Sequence, residues 1–260
     1  PVLAAKSPSD CFDTALEACR IAVTYRTPVI MLSDGYLGNG AEPWKVPDLA
    51  EIPRIDPHFA TEPNTTAADG SPRFMPYRRD PQTLARPWAL PGTKGLEHRV
   101  GGLEKSAHTG AISYDPANHE EMVATRAAKV KGIAKTIPPT AVDDPSGDAD
   151  VLVLGWGSAY GPITAAVRRV RARGLSIAQA HVRHLNPLPE DLGDVLRRYR
   201  QIVVPEMNTG QFAMLLRSKY LIDVKTISRV RGLPISPVDL CDELCRHCGD
   251  SKGSDDTREA

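Results

Sequence analysis

Between Val151 and Gln211 the chain repeats a strand, a turn and a helix, and that alternation limits this half of the molecule to an α/β layer built on a parallel sheet. Val151–Leu154 is a short apolar run of the kind a strand covered on both faces needs. Gly155, Gly157 and Gly161 then permit a sharp turn, and Ile163, Ala166, Val167 and Val170 follow at helical spacing before Gly174 offers a left-handed stop. The pattern recurs. Strands are expected over 175–182, 202–204 and 222–227, and helices over 192–199 and 210–220, with another helix start at Ser236-Pro237. In such sheets ligands or partners meet the carboxyl ends of the strands, here 155–160, 181–186 and 206–211.

The first half reads differently. Ser7–Asp10 is a helix-capping cluster, and Phe12, Ala15, Leu16, Cys19 and Val23 mark the expected inner face of the helix that follows. Val29–Ser33 reads as a buried strand ending at Asp34-Gly35, with its partner strands expected upstream because only six residues precede Ser7. The chain starts at Pro1 without a methionine, the start expected of a piece of a longer protein. Ten prolines between Pro43 and Pro91 exclude long helices and central strands. Trp44, Phe59, Phe74, Tyr77 and Trp88 argue against disorder there, so an extended arm laid over another surface is the better reading. The glycine-rich stretch 91–105 holds Glu97, His98, Arg99, Glu104 and Lys105. It reads either as a solvated loop or as one closing on an anionic ligand, with His98 or Arg99 supplying charge. A helix is expected over 118–135 with a capping box at Asn118 and Glu121, and 141–150 reads as a linker.

Composition excludes several functions. Lys+Arg and Asp+Glu are equal at 32 each, so nothing electrostatic favours nucleic acid or an anionic membrane. No apolar run reaches the roughly 20 residues that span a bilayer, and no secretory segment precedes Cys11, Cys19, Cys241, Cys245 and Cys248, so reduced thiols in the cytoplasm are expected. The cluster Cys241, Cys245, Cys248 with His247 invites a metal reading, but no second ligand pair accompanies it and the thiols share a helical face with Leu240 and Leu244; packing is favoured. The turn after Leu154 departs from the dinucleotide fingerprint, and Gln179, Ala180 and His181 stand where the ribose-binding acid belongs, so a nicotinamide dehydrogenase is the weaker alternative. Glu206–Gln211 places a carboxylate and two amides beyond a strand tip, either as helix caps or as polar contacts to a ligand or subunit.

Four segments carry a resemblance: Leu32–Gly40 with Glu42-Pro43-Trp44; Gly92–His98; Ser113–Pro116 with Asn118-His119-Glu120; and Val204–Gln211. In the same order, they look like the alpha subunits of 2-oxoacid:ferredoxin oxidoreductases, most of all the 2-oxoglutarate type. The resemblance implies an α/β fold: the end of a pyrimidine-type thiamine diphosphate-binding domain over 1–50 and a transketolase C-terminal-like parallel-sheet domain over 149–248. An arm, glycine loop and helix over 51–148 would connect them, with a tail at 249–260. It further implies coenzyme A-dependent oxidative decarboxylation of 2-oxoglutarate to succinyl-CoA, with electrons passed to ferredoxin. Thiamine diphosphate would serve as the electron sink while the protein contributes positioning and polar contacts. The cofactor and its Mg2+ would be shared with a beta subunit carrying a [4Fe-4S] cluster, in an alpha-beta or alpha2-beta2 assembly. Catalytic residues are expected outside this chain, which should hold no metal and be inactive alone. Asp34, Gly35, His98, Arg99, Glu206, Asn208 and Gln211 are the expected substrate- or cofactor-proximal residues. A purely structural docking module is the other alternative.

Overall fold

The computed structural model describes residues 1–252, and the expected tail falls largely outside them. The chain divides into two compact units, one made of Pro1, Leu16–Ile30 and Val46–Thr136, the other of Val2–Ala15, Met31–Lys45 and everything from Ile137 onward.

In chain order the elements are β1 (Val2–Ala4), α1 (Asp10–Tyr25), β2 (Ile30–Leu32), α2 (Gly35–Asn39), β3 (Thr65–Thr66), β4 (Pro72–Arg73), α3 (Pro116–Gly132) and β5 (Val142–Asp143). There follow β6 (Val151–Trp156), α4 (Tyr160–Ala172), β7 (Ala178–Val182), β8 (His184–Asn186), α5 (Leu192–Arg197), β9 (Gln201–Glu206), α6 (Gln211–Tyr220), β10 (Val224–Ser228) and α7 (Pro237–Lys252).

The larger sheet has the order β10-β9-β6-β7-β5, with β6, β7, β9 and β10 parallel and β5 antiparallel at one edge. Alternation along β6 builds two cores. Leu152 and Leu154 face α5 and α6, joined by Ala178, Ala180, Ile202 and Val204; Val151 and Val153 face α4 and α7 with Val203 and Ile227. The helical spacing read in α4 holds, since Ile163, Ala166, Val167 and Val170 are all buried. Cys241 and Cys248 are buried in the second core with Leu240 and Leu244, and Cys245 packs against it, so the thiols serve as small apolar groups.

Several expectations change. The segment 141–150 is not only a linker: β5 adds an edge strand to β7, held by Arg171, which pairs with Asp143 at 2.8 Å and also donates to the Asp143 carbonyl. Two residues of strand are too few to leave a periodic signal. Partner strands for β2 are not all missing from this chain, because Val2–Ala4 forms β1, the middle strand of a second sheet ordered β2-β1-β8, in which β1 runs antiparallel to β8. Nor is β2 buried, since Ile30 is 59% exposed and Leu32 37%. Among the described residues it has a strand neighbour on one side only.

The helix α1 turns a different face inward. Asp10, Thr14, Ile21 and Tyr25 are buried, whereas Ala15 and Cys19 are exposed and Phe12, Leu16 and Val23 half-buried. Polar anchoring overrides the apolar pattern: the Asp10 carboxylate accepts from Lys6 N–H at 3.0 Å and from the Thr14 hydroxyl at 3.1 Å, and pairs with Arg183. Phe12 instead packs on Trp44, ring centroids 5.3 Å apart. The start of α3 is also corrected. Asp115 caps it by accepting from Ala117 N–H, and Pro116 occupies the first helical position. Asn118, expected as the cap, instead clamps a loop, accepting from Ala107 N–H at 2.8 Å and donating to the Lys105 carbonyl at 3.1 Å.

The Pro-rich stretch holds no long helix, as its composition requires, and its pairing is sparse: the two-residue strands β3 and β4, and a parallel bridge between Ala60 and Ala89. Side-chain amides replace sheet bonds there. Asn64 accepts from Met75 N–H at 2.8 Å and donates to the Met75 carbonyl at 3.0 Å, satisfying backbone groups that prolines leave without a ladder.

Candidate functional site

After β6 the chain crosses to β7 on one side, while β9 lies on the other, so the connection reverses direction between β6 and β9. Such a switch point opens a crevice beyond the strand ends. A cleft of about 800 Å³ lies there, walled by Trp156–Ala159 after β6, Pro205–Asn208 after β9, Leu32–Gly40 and Gly232–Pro234.

Each wall has a local cause. Gly157, with φ of 57°, lets the chain turn out of β6 into a short 3-10 helix over Gly157–Ala159, and Ser158 is buried in that turn. On the opposite side Asp34 stands at the end of β2 in extended conformation and caps α2, accepting from Leu37 N–H at 3.0 Å. Its other carboxylate oxygen accepts from the Ser158 hydroxyl, which ties the Asp34 loop to the β6 turn. Asp34 and Gly35 are both exposed and both line the cleft.

Glu206 lines the same wall but acts inward. It is 1% exposed, its two carboxylate oxygens accept from Phe212 N–H and Ala213 N–H at 3.0 Å each, and Trp156 Nε1 donates to it at 3.4 Å. The carboxylate therefore satisfies two of the free N–H groups at the start of α6 and complements its dipole. Asn208, also in the wall, accepts from Gly210 N–H at 2.7 Å and Gln211 N–H at 3.2 Å. Gly210 has φ of 90°, a conformation open to glycine at little cost, and a Cβ there would meet Thr226 Cγ2 at 3.2 Å. Gln211, the first residue of α6, is exposed outside the cleft wall and accepts from Thr209 N–H. Of the two readings of Glu206–Gln211, helix capping accounts for the backbone hydrogen bonds of Glu206 and for that of Asn208 to Gln211 N–H, while Gln211 only closes the turn before α6.

His98 and Arg99 lie in the other unit, both exposed. His98 Nδ1 is 2.8 Å from the Leu96 carbonyl and its ring meets Phe74 at 5.3 Å between centroids, so it is partly fixed; Arg99 extends from the same loop. The structure thus brings Asp34, Gly35, Glu206 and Asn208 to one cleft and leaves Gln211, His98 and Arg99 outside its lining.

Sequence reasoning missed Ser158 and His181. Ser158 offers no pattern in sequence, because its partner Asp34 is 124 positions away. His181 stands opposite Gly155 in the β6–β7 register, and a Cβ at Gly155 would meet its Nδ1 at 3.1 Å, so the glycine makes room for the ring. Neither ring nitrogen has a hydrogen-bond partner among the described residues. Burial, with Lys6 and Arg183 adding positive charge against an opposing Asp10, pushes His181 down to about 3. Tyr160 meets the ring edge-on at 5.1 Å.

The chemistry of the cleft is that of a largely apolar slot with two carboxylates in its lining, Asp34 and Glu206, the second engaged by the N–H groups of α6. Its lining carries no lysine, arginine or histidine, and among the described residues no three His, Cys, Asp or Glu side chains are grouped to hold a metal. A diphosphate with its magnesium does not fit these donors. A flat heterocycle facing Asp34 and Ser158 is compatible with the volume and polarity.

Comparison with known proteins gives this geometry a family. The sequence model for the thiamine diphosphate-binding domain of pyruvate flavodoxin/ferredoxin oxidoreductases matches residues 1–113, and that for core domain II of pyruvate:ferredoxin oxidoreductase matches residues 149–240. The 2-oxoglutarate oxidoreductase subunit KorA of Mycobacterium tuberculosis is 54% identical over 94% of this chain. The chain belongs to the 2-oxoacid:ferredoxin oxidoreductase alpha subunits. A more distant alpha-subunit relative, the 2-oxoglutarate synthase subunit KorA of Methanothermobacter marburgensis, is 28% identical over 80% of the chain. A solved 2-oxoglutarate:ferredoxin oxidoreductase from Magnetococcus marinus, described with 2-oxoglutarate, coenzyme A and succinyl-CoA bound, superposes with a TM-score of 0.80 at 29% identity, covering 95% of this chain and 42% of that one. This alpha-subunit chain spans 35% of the M. tuberculosis relative and 53% of the M. marburgensis one. The family's α/β architecture, expected from the sequence, is the one found.

Proposed function

We propose that this chain is part of the alpha subunit of a thiamine diphosphate-dependent enzyme that converts 2-oxoglutarate and coenzyme A to succinyl-CoA and carbon dioxide, passing two electrons to ferredoxin. The observation that carries the reading is the 54% identity over nearly the whole chain to a 2-oxoglutarate oxidoreductase subunit. In this reading the chain's own residues position rather than react. Residues 1–50 complete the thiamine domain, 51–148 connect, and 149–248 form the second domain. Asp34, fixed by Leu37 N–H and Ser158, offers a carboxylate at the cleft mouth, while Glu206 and Asn208 keep the wall rigid by capping α6. In this reading the diphosphate and Mg2+ belong with a beta subunit, which would also carry the [4Fe-4S] cluster. No helix among the described residues is long and apolar enough to cross a membrane.

The test is to co-express the complete alpha subunit with its partner and follow viologen reduction with 2-oxoglutarate and coenzyme A, against pyruvate. Turnover preferring 2-oxoglutarate, reduced by Asp34→Ala or Arg99→Ala in a complex that still assembles, is the expected result. Undiminished activity in both variants would reduce these residues to scaffold and favour a docking module. Failure with every 2-oxoacid would sink the functional reading.

A further inference from the structure

Within the unit that contains α3, four cations gather with no acidic partner among the described residues. Lys129, on α3, is only 7% exposed and its Nζ donates to the Arg26 carbonyl at 3.4 Å. Arg26, Arg79 and Arg86 are half-buried. Two of them are held on aromatic faces, Arg26 at 4.3 Å over Trp88 and Arg86 at 4.4 Å over Tyr77. The hydrogen bonds of the group go to backbone carbonyls: Arg26 to Val23 and Pro57, and Arg79 to Leu84 at 2.9 Å. Arg26 Nε is buried with no partner among the described residues.

Nearby carboxylates are engaged elsewhere. Asp80, adjacent to Arg79, accepts from Gln82 N–H, Thr83 N–H and the Thr83 hydroxyl, and Glu104 is paired with Arg126 and His119. Burial, together with the charges of Arg79, Arg86 and Arg26, brings Lys129 down to about 8. Arg79 is likewise lowered, by burial and by Arg86 and Arg126. Grouping partly buried like charges costs free energy unless an anion neutralises them. Guanidinium planes fixed by stacking, beside a compact ammonium, match the oxygens of a phosphate.

We propose that Arg26, Arg79, Arg86 and Lys129 form a binding site for a phosphate group, either free or borne by a nucleotide. The site shares no residue with the cleft wall, and it does not depend on which oxoacid the enzyme uses. Three of the four side chains are only half-buried, so their guanidinium groups remain partly accessible from solvent.

The experiment is calorimetric titration of the natural full-length polypeptide, in phosphate-free buffer, with inorganic phosphate and separately with ADP. Saturable binding of at least one probe, weakened about tenfold or more in Arg79→Gln and in Lys129→Met, is expected from loss of one charge-assisted contact. Saturation by both probes marks a free-phosphate site, and saturation by ADP alone marks a nucleotide. Absence of saturable binding, or binding unchanged in both variants, overturns the proposal. Should Lys129→Met fail to fold, the half-exposed Arg79 and Arg86 variants carry the test.

Discussion

His181 at the end of β7 shows how much one buried residue decides about pH behaviour. Its native pKa near 3 lies below the ordinary value of 6.5, so between those limits the unfolded chain takes up a proton that the native imidazole refuses. Stability linked to this group is therefore complete above about pH 6.5 and is lost as pH falls toward 3. Replacing it with Phe, a ring that cannot titrate, should flatten this part of the acid limb. Unfolding free energies from urea titrations at pH 7 and pH 4.5 should fall more for the natural protein than for His181→Phe, by on the order of 1–3 kcal/mol. Equal slopes would show that the ring is solvated. The residue types at Gly155 and His181 were legible, but their meeting was not. It depends on the β6–β7 register, which a sequence pattern leaves open by any number of steps.

Among the elements, α6 is the one whose stability is tied most directly to a named site residue. Its first turn has no Ser, Thr or Asp at the cap, and Gly210 stands there instead. The buried Glu206 carboxylate supplies the acceptors from the end of β9. Glu206→Ala leaves two buried N–H groups and Trp156 Nε1 without their acceptor, and should cost about 2–4 kcal/mol in chemical denaturation. Glu206→Gln, which keeps one carbonyl acceptor, should cost less. If Ala and Gln cost the same and both are near zero, the carboxylate is not a cap. Strong periodicity made β6, α4, α5 and β9 readable, because core burial on both sheet faces imposes it directly. The strands β1 and β5 were missed for a physical reason: each has at most three residues and takes its place through neighbours distant in sequence. Polar anchoring hid the inner face of α1, where Asp10 and Thr14 displace the apolar stripe.

For the whole molecule, the chain spans about a third of its M. tuberculosis relative, and the cleft it contains lacks the cations a diphosphate requires. The 260-residue chain supplied with thiamine diphosphate, Mg2+, 2-oxoglutarate and coenzyme A should reduce no viologen, while the complete subunit with its partner should. Turnover by the chain alone would overturn the assignment of catalysis to residues outside it.

The sequence by itself determined the parallel α/β sheet, the absence of long helices from the proline-rich stretch 43–91, and the family, since motifs such as Leu32–Gly40 and Val204–Gln211 survive as strings. Asp34 and Glu206 were likewise placed at strand ends by the order of elements alone. Only the tertiary structure decided what those side chains do. Whether a carboxylate faces a cleft, as Asp34 does, or turns inward onto helix N–H groups, as Glu206 does, depends on the packing of α2 and α6. The cation cluster joins residues from 26 to 129, and its lack of carboxylates is a property of three-dimensional neighbours, which net charge conceals. Strings record local preference, whereas desolvation and charge act between residues that only folding brings together.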